Sequence, residues 1–238
     1  MKKQPLCALI LITFLQTARA QTDAPKHPAI HKWSLDLSAG LAVPVGKFAS
    51  NDYNAESGHA KVGATAEFAV TRWLNPSFGI TFAAAGQENS IGKFTTYTNP
   101  GPAYSTEYDS WKLARLLAGV SFNRRLSKTG FSIGVRALAG VLKTSAPGYT
   151  EYIGNHQNEV RTPSSPLHWA FAYEAGAGLK WQSTGKLFLL LDAAYAGSTP
   201  EYMRTYNLIE YGRPASYAIR HNQPISTVQF RVGAGLRL

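Results

Sequence analysis

Residues 169–181 read Trp169-Ala-Phe-Ala-Tyr-Glu-Ala-Gly-Ala-Gly-Leu-Lys-Trp181. Every odd position from Trp169 to Trp181 is apolar or aromatic. The even positions carry Glu174, Lys180 and small residues. A period of two over thirteen residues describes a strand whose faces meet different surroundings, because a helix would mix the two sets.

The same alternation recurs along the chain. Trp33, Leu35, Leu37, Ala39, Leu41 and Val43 form one face of a first strand. A second sets Ala60, Val62, Ala64, Ala66, Phe68 and Val70 against Lys61, Thr65 and Glu67. A third carries Phe78, Ile80, Phe82 and Ala84 on its apolar face. The fourth spans about Trp111 to Asn123, irregular in its upper half, with Leu116 to Phe122 opposing Arg115 and Ser121. The fifth opposes Phe131, Ile133 and Val135 to Arg136. The stretch 169–181 is the sixth. The seventh opposes Leu187, Leu189 and Leu191 to Asp192, and the eighth opposes Val228, Phe230 and Val232 to Arg231.

The gaps between these stretches alternate. Residues 72–77, 124–130 and 182–186 are short; 44–58, 86–110, 145–167 and 198–224 are long. Eight strands joined in this way describe an all-β, antiparallel up-and-down barrel. An apolar outer face implies lipid around it, with short turns at the periplasmic end and long loops outside. The tryptophans Trp33, Trp73, Trp111, Trp169 and Trp181 all fall at strand ends, where an amphipathic ring suits headgroup depth. They are expected to be interfacial.

The N-terminal segment reads as a targeting signal. Lys2 and Lys3 precede the apolar run Leu6 to Leu15, and Thr17-Ala18-Arg19-Ala20 ends in a small-x-small cleavage pattern. Domain boundaries follow: a signal peptide at 1–20, a periplasmic lead at 21–32 and the barrel at 33–238. The single cysteine, Cys7, lies in the signal, so the mature chain has no thiol chemistry. Loss of Lys2, Lys3 and Arg19 takes the formal charge from +10 to +7. In an exported chain this basic balance points to anionic lipopolysaccharide rather than nucleic acid. The implied location is the bacterial outer membrane.

The segments Ser34-Leu-Asp-Leu-Ser-Ala-Gly-Leu-Ala-Val-Pro-Val-Gly-Lys-Phe48 and Val228-Gln-Phe-Arg-Val-Gly-Ala-Gly-Leu-Arg-Leu238 carry a resemblance. The chain resembles small outer-membrane barrels of the OmpA/OmpX type, particularly the porin-like barrels of Bacteroidota. The resemblance covers residues 33–238. It implies partnership with the barrel-insertion machinery, which in such families often reads a terminal Phe or Trp; here Leu238 stands in that place.

An eight-stranded barrel has an interior that side chains fill. The inward set includes Asp36, Glu67, Arg115, Arg136, Glu174, Lys180, Asp192 and Arg231. Neighbouring strands bring Arg136 to Glu174 and Asp192 to Arg231, and barrel closure brings Arg231 toward Asp36. Unpaired charges there are costly, so a structural ion-pair plug is expected, with a narrow ion path as the alternative.

The long loops hold Tyr53, Tyr97, Tyr104, Tyr108, Tyr149, Tyr152, Tyr202, Tyr206, Tyr211 and Tyr217 of the chain's twelve tyrosines. Such loops suit an adaptable binding surface for a ligand the sequence does not name. Gly46-Lys47-Phe48 recurs there as Gly92-Lys93-Phe94. A lipid-modifying enzyme would need a nucleophile beside a histidine. His59, His156, His168 and His221 are near the outer end, with Ser164, Ser165 and Glu159, but no spacing fixes their geometry. The histidines are too scattered for a metal site. The expectation is a non-enzymatic barrel without cofactor or metal, with an envelope-structural or surface-binding role. A lipid-modifying enzyme and a transport or secretion-accessory barrel are the alternatives.

Overall fold

The structure is a computed structural model. It describes residues 32–52, 57–91, 94–97, 103–126, 130–153, 158–162, 164–182, 185–210 and 213–238. The expected signal peptide and nearly all of the expected lead lie outside these residues.

Strands run in the order β1 (Trp33–Pro44), β2 (Gly63–Trp73), β3 (Phe78–Asn89), β4 (Phe94–Tyr97), β5 (Ala103–Tyr108), β6 (Trp111–Arg125) and β7 (Phe131–Thr144). They continue as β8 (Tyr149–Ile153), β9 (Asn158–Thr162), β10 (His168–Trp181), β11 (Leu187–Ser198), β12 (Glu201–Glu210), β13 (Arg213–Asn222) and β14 (Ile225–Arg237). Eight of them close into an antiparallel barrel in the order β1-β14-β11-β10-β7-β6-β3-β2, with β1 also paired to β2. Closure satisfies the ladder on both sides of every barrel strand. This is what a chain in hydrocarbon needs, since lipid offers backbone groups no partners.

The alternation decides what faces where. In β3, exposed and buried residues alternate without a break from Phe78 to Asn89. Large apolar side chains on the outer face are open to the surroundings: Leu37 is 65% exposed, Phe171 66%, Val232 63% and Leu187 68%. A water-soluble monomer rarely shows apolar surface on this scale, so the barrel wall is lipid-facing.

Short turns close one end. In the β2–β3 turn the Asn75 carboxamide oxygen accepts the Ser77 and Phe78 amides at 2.9 and 2.8 Å. Gly130, at φ +83, supplies a left-handed residue just before β7.

Four departures from the sequence reading concern the strands and their ends. First, the long connections contain strands. β12 and β13 form a hairpin, and β4-β5-β8-β9 form a sheet joining the second and third loops. Second, the upper half of β6 is regular. The parity that turns Arg115 inward therefore also turns Trp111 inward; it is 3% exposed rather than interfacial. Third, Trp73 shares the inward parity of Glu67 and Thr71, and its indole N–H donates to Ser34 Oγ at 3.2 Å inside the barrel. Fourth, Ala60 lies outside β2. It bridges to Ile91 and is 5% exposed, because the chain there folds over the barrel mouth.

Candidate functional site: the lumen and its external closure

The inward side chains form three layers. At mid-barrel, Arg231 from β14 is fully buried. Its Nε and Nη2 grip Asp192 at 3.1 and 2.7 Å. Nη1 donates to Glu67 at 2.6 Å and to the Gln229 carboxamide oxygen at 3.0 Å, while Nη2 also reaches Glu174 at 3.0 Å. These five bonds match the five N–H donors of a guanidinium.

Arg136 from β7 takes Glu67 in a second fork, at 2.6 and 2.9 Å, and reaches Glu174 at 2.5 Å and Asp192 at 3.4 Å. Arg115 lies 3.6 Å from Glu174. Asp36 pairs with Lys180 at 3.0 Å. Four carboxylates therefore face four cations, so this ion-pair cluster is formally neutral. Low dielectric makes each unpaired charge expensive, and this balance offsets part of that cost.

The strands explain the convergence. β1 carries Gly40 opposite Arg231. A Cβ at Gly40 would overlap the Phe230 carbonyl and crowd the Arg231 backbone, so glycine lets the seam close. Barrel closure does not bring Asp36 to Arg231: Asp36 sits opposite Gly235, and Lys180 takes it instead.

Above the ion pairs lies a carboxamide layer. Gln229 donates to Gln87 at 2.9 Å, Gln87 to Asn89 at 2.6 Å, and Asn89 to the Ala42 and Lys61 carbonyls at 3.0 and 2.7 Å. Over this sits an apolar stopper. Phe48, on a single 3₁₀ turn at Gly46–Phe48, is fully buried and meets Trp111 edge-on at 5.6 Å. Trp111 also packs on Tyr202 at 6.0 Å, and its indole N–H donates to the Gly58 carbonyl at 2.9 Å. The Gly-Lys-Phe element thus delivers the stopper. Its counterpart at Gly92-Lys93 lies outside the described residues.

Below the ion pairs, a cavity of about 60 Å³ remains toward the short-turn end. Thr71, Thr81 and Ser121 hydroxyls line it in a chain at 2.8 and 2.6 Å. It has room for a few waters.

The outer rim places the remaining aromatic residues. Trp33 and Trp181 are exposed at the short-turn end and Trp169 at the loop end. Arg72 stacks over Trp33 at 5.6 Å, and Lys143 lies 5.5 Å from the Trp169 ring centre.

The solved structures similar to this chain include Neisserial surface protein A. It is 10% identical, with 87% of this chain and 97% of that chain covered and a TM-score of 0.43. The attachment invasion locus protein Ail of Yersinia pestis is 14% identical over 87% and 99% of the two chains, with a TM-score of 0.43. A major outer membrane protein from Thermus thermophilus is 11% identical over 87% and 99%, with a TM-score of 0.46. No protein-family model and no curated protein matches the chain. The fold described above rests on the chain's own closed ladder.

Ser164, Ser165 and His168 lie among the described residues at the outer end. The Ser165 hydroxyl accepts the Ala146 amide at 2.8 Å and donates to the Pro166 carbonyl at 3.2 Å. Ser164 accepts the Gly148 amide at 3.2 Å. Both hydroxyls hold loop backbone. His168 packs edge-on against Tyr202 at 5.1 Å. Burial holds His59 below the ordinary imidazole range, with the charge of Asp52 opposing. His156 and the side chain of Glu159 lie outside the described residues. Among those residues no three His, Cys, Asp or Glu side chains gather to hold a metal.

Proposed function

We propose that this chain is an integral outer-membrane barrel, exported by a cleaved signal, that acts without catalysis as an envelope-structural or surface-binding protein. The observation that carries the reading is the filled lumen. Among the described residues a neutral ion-pair layer, a carboxamide layer and an apolar stopper succeed one another from mid-barrel to the outer end. Specific contact then falls to the outer end, where β12–β13 and the β4-β5-β8-β9 sheet give the long loops β-structure of their own. The proposed surroundings are outer-membrane lipid and lipopolysaccharide, with insertion by the barrel-assembly machinery and a further ligand at the loops.

The test has two arms. Planar-bilayer recording of the refolded barrel is expected to show no steady conductance; a stable open level would favour the transport reading. Mass spectrometry of lipid A from a deletion strain is expected to match the parent. A changed acyl or phosphate pattern would favour the enzyme reading.

A further inference from the structure

The outer wall carries a groove where β2, β3, β6 and β7 lie side by side. Two adjacent cross-strand rows build it: Phe68–Ala84–Leu116–Val141 and, one step toward the short turns, Val70–Phe82–Ala118–Ala139. The small residues Ala84, Ala118 and Ala139 form the floor, between larger apolar side chains. The volume is about 420 Å³, open to the surroundings, and its lining residues are all apolar.

Two rows toward the loops, charge appears. The first row runs Gly86–Ala114–Lys143–Trp169, and the second pairs Glu88 with Lys112. By strand parity Lys112 and Lys143 both face outward, diagonal to one another on neighbouring strands. Trp169 holds Lys143 over its ring, at the depth where an indole meets headgroups. Two ammonium groups against the single carboxylate of Glu88 leave this edge positive.

We propose that the groove and the two lysines form one binding site for a phosphorylated, acylated lipid of the external leaflet. An acyl chain lies over Ala84, Ala118 and Ala139, and its phosphate rests between Lys112 and Lys143. The groove's apolar lining suits the chain, and the lysines complement the headgroup. Both parts lie on one face, in the order that a lipid presents them. The proposal rests on the membrane reading and adds a discrete site to it.

Native mass spectrometry of the refolded mature barrel, with diphosphoryl lipid A as the probe, tests this. The barrel is expected to retain one lipid. Retention should fall at least fivefold in the double variant Lys112→Gln/Lys143→Gln. It should fall similarly in Ala118→Leu/Ala139→Leu, which fills the groove without touching the lumen. Glu88→Gln should retain the lipid at least as well as the parent. Unchanged retention in both double variants, or equal retention of a phosphate-free lipid A, would overturn the site. Heat-dependent gel migration after insertion into vesicles separates the two readings. An inserted barrel that retains no lipid sinks the site alone, whereas a barrel that fails to insert sinks the membrane reading with it.

Discussion

At the scale of single residues, Arg231 does the most. Among the described residues it is the largest fully buried side chain, and it ties Glu67, Glu174 and Asp192, from three different strands, to β14. Arg231→Met would remove one charge from this cluster and leave Glu67, Glu174 and Asp192 to Arg136 and Arg115 alone. Removing one partner of a buried pair costs about 3–5 kcal/mol, so the urea midpoint of the barrel in vesicles should fall by a corresponding amount. Arg231→Lys should rescue only part of this, since an ammonium cannot reproduce the planar fork on Asp192. An unchanged midpoint for Arg231→Met would mean that the pairs add nothing to stability. Gly40→Val probes the same seam from β1. The added side chain would meet the Phe230 carbonyl, and the folded band on an unheated gel should be weakened or lost.

At the scale of elements, the 3₁₀ turn that carries Phe48 is the joint between loop and barrel. Phe48→Ala removes a buried ring from the Trp111 contact and should cost about 3–5 kcal/mol. The local readout is sharper: Trp111 should become accessible to acrylamide, shifting its share of the emission to the red. Acid acts at the same joint. Because burial depresses the His59 value, the unfolded chain binds the extra proton first as pH drops below about 6.5. Loop docking is thus strongest above that value and loosens as pH falls through the folded-state value. The ring is only half-buried, so the effect should be small; it can be measured as Trp111 quenching between pH 7 and pH 5. The barrel strands were legible in the sequence because each has one face toward lipid and one toward the lumen, which enforces a period of two. The strands in the loops were not legible. β4, β5, β8 and β9 pair only with one another, so no lipid boundary imposes that alternation, and their Tyr and Thr content looks like loop composition. Trp111 and Trp73 show a related limit. Their position at strand ends suggested the interface, but parity within the strand decided their direction. Asp36 shows another: strand adjacency brought Arg136 to Glu174, but register gave Asp36 to Lys180.

At the scale of the whole molecule, the outer wall and the lumen make opposite demands on a charge, and this separates a lipid-facing barrel from a soluble one. Val232 is 63% exposed near the middle of β14, one residue from Arg231, yet it points to the other side of the wall. In water, Val232→Arg would be close to neutral. In a bilayer it places a guanidinium near the mid-plane and should cost about 2–4 kcal/mol, whereas the same change near an interface costs about 0–1. Leu187, 68% exposed at the short-turn end of β11, is the matched control. Urea unfolding from phosphatidylcholine vesicles should therefore rank the parent as most stable, Leu187→Arg slightly below it and Val232→Arg well below both. Equal midpoints for the two variants would contradict the proposed depth of β14, and a Val232→Arg midpoint at the parental value would contradict lipid contact at that position. Neither substitution touches the ion pairs, so a loss confined to Val232→Arg reports the surroundings of the barrel rather than its filling.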